Sequence, residues 1–193
     1  MNIYAYTHYW NYYKTLEEDL EKLSRYIEFS EDNMETYSTE LTRLLLSSSS
    51  EVDVILKDIC KLLDPDSTRK NINDYRKVIK KHQPDLIEEE IIMPSHNLNF
   101  KPWNHWKENK NPDWWKNHNN VKHHRSENFK EANLKNTLNS IGALLICNLY
   151  YYKSILNTIP DEELSFKDIT RAFEPKFRFF RMNGDYYYSN FIV

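Results

Sequence analysis

The chain has 193 residues, enough for one domain with a small appendage, and its 40% hydrophobic and 28% charged residues supply both a core and a solvated surface, which excludes a chain disordered throughout. Only 2 glycines occur, which excludes a Gly-rich phosphate loop of the P-loop or dinucleotide-binding kind and favours long helices over a turn-rich β-sandwich. The formal net charge of −3 sets up no global basic field for nucleic acid, and 2 cysteines make neither a disulfide framework nor a structural zinc site.

From Met1 to Tyr13 the chain is aromatic and polar, with neither the basic start nor the apolar run of a secretory signal, so the protein is read as cytoplasmic. Tyr13, Leu16, Leu20, Leu23 and Ile27 step by three and four and predict a helix over residues 13–28. Glu17, Glu18, Glu21, Lys22 and Arg25 fall on its solvated face. A longer helix is expected from about Met34, striped by Tyr37, Leu41, Leu44, Leu45, Ser48, Val52, Ile55, Ile59 and Leu62, and stopped by Asp64-Pro65. Small residues, Ser47 to Ser50, interrupt that stripe and would let another helix approach closely. Glu51 lies on or beside the apolar face, with Asp53 offset from it. A carboxylate there is either exposed or paired, and the basic cluster downstream is the candidate partner.

A third helix is predicted over residues 68–82, with Ile72, Tyr75, Val78 and Ile79 inward and Pro84 ending it. Residues 83–112 carry Pro84, Pro94, Pro102 and Pro112 and read as a long irregular stretch, pinned to the body by Trp103 and Trp106. A short helix over 113–118 is followed by the longest one, 126–156, capped by Ser126 and striped by Leu134, Leu138, Ile141, Leu145 and Leu149. Ala143, Leu144 and Ile146 widen its apolar surface and make it central, and Gly142 suggests a close helix crossing. Cys60 and Cys147 sit in apolar helical patterns as small buried hydrophobes. The run from Ile141 to Tyr152 is too short to span a bilayer and contains Asn148, so no membrane role is expected. After Pro160, a short helix over 165–173 precedes a β-hairpin, residues 176–193, turning at Asn183-Gly184. The fold class expected is therefore mainly α: a helical bundle over 1–160, with a C-terminal appendage of short helix and β-hairpin over 161–193.

Chemistry-bearing residues are concentrated. Between Lys101 and Lys135 there are eight Lys/Arg against four Asp/Glu; five of the seven histidines lie from His96 to His124, and four of the five tryptophans from Trp103 to Trp115. With the long helix placed from Ser126, Lys122, His123 and Arg125 would stand near its N-terminus, where backbone N–H groups add positive potential. Histidine exchanges protons near neutrality, and arginine grips phosphate by two prongs. Cleaving RNA without a metal needs such parts: a base, an acid and a cation for the developing charge. The competing reading is a solvated basic patch. Zinc is disfavoured because His118 and His123 are five apart, no H-E-x-x-H spacing exists and no cysteine is near, so neither metal nor cofactor is assigned. Trp114 and Trp115 are core anchors, with Trp114 a candidate to stack a nucleobase.

The run Trp114-Trp115, Asn119, Val121-Lys122-His123 and Arg125, leading to Asn133, resembles uncharacterised bacterial helical proteins related to the HEPN superfamily. Tyr37-Ser38-Thr39-Glu40-Leu41 through Ser50-Glu51-Val52-Asp53 is similar to the second helix of the same group, so the resemblance covers residues 26–150. It implies a HEPN-like helical bundle. Active members are metal-independent ribonucleases that dimerise with their sites meeting at the interface, and they occur in toxin–antitoxin, abortive-infection (phage defence) and CRISPR-linked systems. Others are inactive binding modules. The ribonuclease motif of that superfamily has Arg before His, whereas here His123 precedes Arg125; an Arg-then-His pair at that spacing falls only at Arg76 and His82.

Carried over, the resemblance implies His123 as acid or base, Lys122 stabilising the phosphorane and Asn119 orienting substrate or His123, with Arg125 supporting as phosphate clamp; Trp114, His124 and Glu51 are further candidates at the substrate from the reading of the residues themselves. The expected function is a metal-independent ribonuclease or toxin-type effector acting on RNA as a homodimer, under an antitoxin or other partner protein. The alternatives are a non-catalytic module binding nucleotide, nucleic acid or protein, and a purely structural oligomerisation domain. The first expects His123 and Arg125 to converge in a cleft beside Glu51; the second expects Lys122 and His123 tied into an ion-pair network with Glu51 or Asp53.

Overall fold

The computed structural model describes residues 8–156 and 179–182. Its axis is α6 (Leu134–Leu156), whose residues from Ser140 to Tyr152 are all buried. A helix covered on every side must satisfy its polar side chains internally. Thr137 donates to the Asn133 and Leu41 carbonyls, Ser140 to the Thr137 carbonyl, and the Asn148 amide to the Leu144 carbonyl.

The main partner of α6 is α2 (Thr39–Leu63). Ser38 caps α2 by accepting the Leu41 N–H at 3.1 Å. Leu41, Leu44, Leu45, Val52, Ile55, Leu56, Ile59 and Cys60 are buried along it. The serine run lies against α6: Ser48 is fully buried, and its hydroxyl lies 2.6 Å from that of Ser140. Residues 34–38, expected to be helical, instead follow a short 3-10 turn, Glu31–Asn33, and α2 begins only at Thr39.

The first helix, α1 (His8–Leu23), lies five residues earlier than the spacing predicted. Tyr9 and Trp10 extend its apolar stripe backwards, and the Arg25-Tyr26 pair is left exposed beyond its end. Glu17 is not solvated as expected. It is buried, accepting from the Tyr13 hydroxyl at 3.1 Å and from the Phe179 N–H at 3.4 Å. The next helix, α3 (Ile72–His82), is capped by Asn71 and packs on α2.

Residues 83–112 are not irregular throughout. A short helix, α4 (Asp85–Glu88), leads into an antiparallel pair, β1 (Ile91–Met93) and β2 (Leu98–Phe100), with Ile91 opposite Phe100 and Met93 opposite Leu98. Asn97, at φ 52°, takes the left-handed turn position between them. This sheet, not another helix, explains Gly142. A Cβ there would lie 2.8 Å from the Phe100 ring and 3.0 Å from Ile91 Cγ1. Arg181 bridges Ile92 by two backbone hydrogen bonds, and Phe180 and Met182 enter the core, so this part of the C-terminal segment is built into the body. The short helix expected over 165–173 and the turn at Asn183-Gly184 lie outside the described residues.

The end of α6 also differs. A single long helix from Ser126 does not form. Instead α5 (Asp113–Asn128), a 3-10 turn (Phe129–Glu131) and α6 follow one another, and Asn133 caps α6 by accepting the Asn136 N–H at 3.0 Å. Among the described residues, no helix is long and apolar enough to cross a membrane.

Candidate functional site

The first half of α5 is a core element. Trp114 and Trp115 are both buried, and the Trp114 indole N–H donates to the Pro102 carbonyl at 3.0 Å. Their rings continue an aromatic chain: Trp103 to Trp106 at 4.4 Å, Trp103 to Trp114 at 5.3 Å, Trp114 to Trp115 at 5.7 Å and Trp115 to His118 at 5.6 Å. Trp114 is thus committed to the body and offers no face to a nucleobase. After Val121, no apolar residue follows until Phe129. Without a buried stripe to hold it, α5 breaks at His124, whose φ and ψ of −140° and 52° are not helical.

Lys122, His123, His124 and Arg125 therefore stand at the outer end of α5, all exposed. They lie at the end of one helix and before the Asn133 cap of the next, not at the N-terminus of a long helix, so the added positive potential expected there is withdrawn. Among the described residues, none of the four side chains makes an ion pair or hydrogen bond; the rings of His123 and His124 lie 6.5 Å apart. The neighbouring cations are spoken for. Lys107 pairs with Glu88, Lys110 with Glu108 and Lys116 with Asp113, while Lys80 binds the Asn109 side chain and the Trp106 and Lys107 carbonyls. Among the described residues, Lys122 and Arg125 form no ion pair, and neither do the exposed Lys101, Lys130 and Lys135 of the same region.

The remaining expected site residues are dispersed. Asn119 turns its amide back to the Trp115 carbonyl at 3.0 Å, so its donor is used within α5 rather than on His123. Glu51 is half-buried, and desolvation raises its carboxyl above the usual range, with His8 as the opposing charge. It faces α1 and forms no ion pair with Lys122 or His123, which overturns the network expected there. Asp53 accepts from the Tyr75 hydroxyl at 2.9 Å and pairs with Lys57. Arg76 donates to the Asn111 side chain, and His82 lies 3.8 Å from Asp64, so the Arg76–His82 pair is engaged separately.

A residue the motif reading did not select is His118. It is 3% exposed, and both ring nitrogens are buried without a hydrogen-bond partner. Burial pushes its pKa down to about 4, with Lys122 and His123 adding to that shift and Asp53 opposing it. Leu45 of α2 clusters with Val121 of α5, and Asp53 acts on His118, so α2 and α5 run in opposite senses along this seam. Ser49, also buried with a partnerless hydroxyl, lies between Leu45 and Asp53 on α2. The signal was present in the spacing: Trp114, Trp115, His118 and Val121 form one helical stripe.

Elsewhere, an open groove of about 500 Å³ runs beside Leu23, Tyr26 and Ile27; its charged lining, Asp19, Lys22 and Glu40, is tied into ion pairs within the groove and with Arg43. Among the described residues, no group of three or more His, Cys, Asp or Glu is placed to hold a metal ion. No protein-family model, curated protein or solved structure matches the chain.

Proposed function

We propose that this chain is a helical module that binds RNA by its phosphate backbone, through the basic end of α5. The observation that carries this reading is the contrast in pairing. Lys107, Lys110 and Lys116 each pair with a carboxylate, whereas Lys122 and Arg125, with Lys130 five residues further on, are exposed and form no ion pair among the described residues, and His123 and His124 stand exposed between them. Unpaired, solvated cations attract a polyanion by releasing its counterions, and they do so despite a net charge of −3 because screening confines the interaction to about 8–10 Å.

Cleavage is the second reading. It is favoured by His123 standing next to Lys122 and two residues before Arg125 at the exposed end of α5, so that a proton-transfer group lies between two phosphate-binding cations in the chain. No carboxylate orients His123 within the described chain, and the HEPN resemblance supplies the missing element as a second copy of the protein. The proposed catalytic form is accordingly a homodimer cleaving RNA without metal, with His123 as acid or base, Arg125 and Lys122 on the phosphate and His124 beside them. Membership of a toxin–antitoxin or phage-defence system belongs to this same proposal.

The test uses the full chain, a Lys122→Ala/Arg125→Ala variant and a His123→Ala variant, each incubated with RNA in excess EDTA while binding is followed in parallel. Binding by wild type that the double variant loses supports the module. Cleavage that His123→Ala abolishes while binding persists supports the ribonuclease. Wild-type protein that is folded and binds no RNA sinks both.

A further inference from the structure

The second structural feature of this end of the molecule is aromatic. Among the described residues, the large hydrophobic side chains left exposed are Tyr12, Tyr26, Tyr37, Val54 and Leu62. Of these, Tyr37 is the one that meets the basic segment. Its ring packs edge-to-face on Phe129 at 5.5 Å and 80°, and Phe129 is four residues on from Arg125 and adjacent to exposed Lys130. Tyr37 remains 51% exposed.

The backbone under Tyr37 is fixed. It forms a bridge with Asn133, the Leu134 N–H donates to the Thr36 carbonyl at 2.9 Å and the Lys135 N–H to the Met34 carbonyl at 3.0 Å. The Asn133 amide donates to Glu35 at 2.9 Å and the Asn120 amide to Glu131 at 2.9 Å, which fixes both carboxylates in place, while Glu127, two residues after Arg125, is exposed. The segment before α2 is thereby stitched to the cap of α6, and the Tyr37 ring is half-exposed against Phe129, the residue that follows the basic end of α5 by four positions. Burying this ring in the core was the alternative, and the fold does not take it.

We propose that Tyr37, backed by Phe129, is a base-stacking platform that makes the basic end of α5 select single-stranded over double-stranded RNA. The proposal rests on the RNA-binding reading above. Cations alone read phosphates and accept either form, whereas a stacking ring needs an unpaired base, whose face a duplex hides. One platform backed by Phe129, which lies between Arg125 and Lys130 in the chain, fits a strand with one base unstacked onto the tyrosine and neighbouring phosphates held by charge.

The experiment measures fluorescence anisotropy of a labelled single-stranded RNA and of the duplex formed with its complement. It compares the wild-type chain with Tyr37→Ala, Tyr37→Phe and Lys122→Ala/Arg125→Ala, with circular dichroism confirming that each variant is folded. Tyr37→Ala is expected to weaken single-strand binding about tenfold or more and to leave duplex binding unchanged. Tyr37→Phe should retain single-strand binding, since the ring and not the hydroxyl does the stacking. If the cation variant weakens both RNAs while Tyr37→Ala matches wild type on both, the platform is refuted and the RNA-binding reading stands. Equal losses on strand and duplex from Tyr37→Ala would refute selection. Wild-type protein binding neither RNA overturns the RNA reading and the platform together.

Discussion

His118 shows how one side chain ties the core to the exposed end of α5. Its imidazole is buried neutral, one turn before Lys122, and its pKa is held down to about 4 against an ordinary value of 6.5. The folded state therefore binds fewer protons than the unfolded chain between these values. Stability from this residue is fully present above pH 6.5 and is lost as pH falls toward 4, about 3 kcal/mol in all. Glu51 and Glu89, whose carboxyls burial raises, work in the opposite direction, so the total slope is not diagnostic but the difference between variants is. His118→Gln, which stays neutral, should flatten the acid side of a urea-midpoint profile relative to wild type; parallel profiles would mean that His118 does not titrate as a buried neutral group. The cysteines give a second prediction at this scale. Burial pushes the Cys60 thiol up to about 12, and Cys147, fully buried, is also raised. A thiolate-specific reagent should modify neither in the native protein and both once it is unfolded. Rapid native labelling of either would show that its helix opens.

At the scale of elements, the α2–α6 crossing makes the sharpest demand on sequence. Ser48 and Ser140 face one another at 2.6 Å, so that one hydroxyl donates across to the other and the acceptor donates to a backbone carbonyl of its own helix. Ser48→Ala removes one shared hydrogen bond and leaves Ser140 its Thr137 acceptor, so a loss of about 1 kcal/mol is expected. Ser48→Leu must force the helices apart and should cost about 1–3 kcal/mol or more by thermal or chemical unfolding. Similar losses from the two would mean that the crossing is not closely packed. This crossing was legible in advance because a run of serines inside an apolar stripe has few other uses. The existence of the long helices and the buried cysteines was legible for the same reason, a period of three and four over many residues. What misled was local competition. Ser126 has the chemistry of a cap, but Asn133 takes that role because Phe129 and Ala132 turn the chain back toward α2 first. Gly142 signals a close approach without saying by what, and the three-residue strands are too short to register a period of two. For the candidate site, composition pointed to the segment that carries the exposed quartet, while the partners assigned to it, Glu51 and Trp114, depended on long-range packing that spacing along one chain does not encode. His118 was readable from its stripe but lay hidden behind the motif.

For the whole molecule, the decisive quantity is how charge is partitioned rather than how much there is. A net charge of −3 argues against a polyanion partner only if the charges act as one field. At physiological ionic strength they do not, and a cation with its own carboxylate contributes little at a distance. Counterion release makes this measurable. For a single strand, each phosphate neutralised adds about 0.7 to the steepness of log affinity against log salt. Lys122→Ala/Arg125→Ala removes two unpaired cations and should lower that slope by about 1.4. Lys110→Ala removes a cation already paired with Glu108 at 2.7 Å and should leave the slope close to that of wild type. Binding titrations of the three proteins over a range of salt concentrations separate the possibilities. If the Lys110 variant lowers the slope as much per charge as the double variant, the polyanion is reading the basic residues of the whole 101–135 region. The end of α5 would then be one part of a diffuse surface and could not position a phosphate at His123. If the loss is confined to the double variant, the paired and unpaired lysines differ in function as they differ in structure, and His123 sits where the phosphate is held.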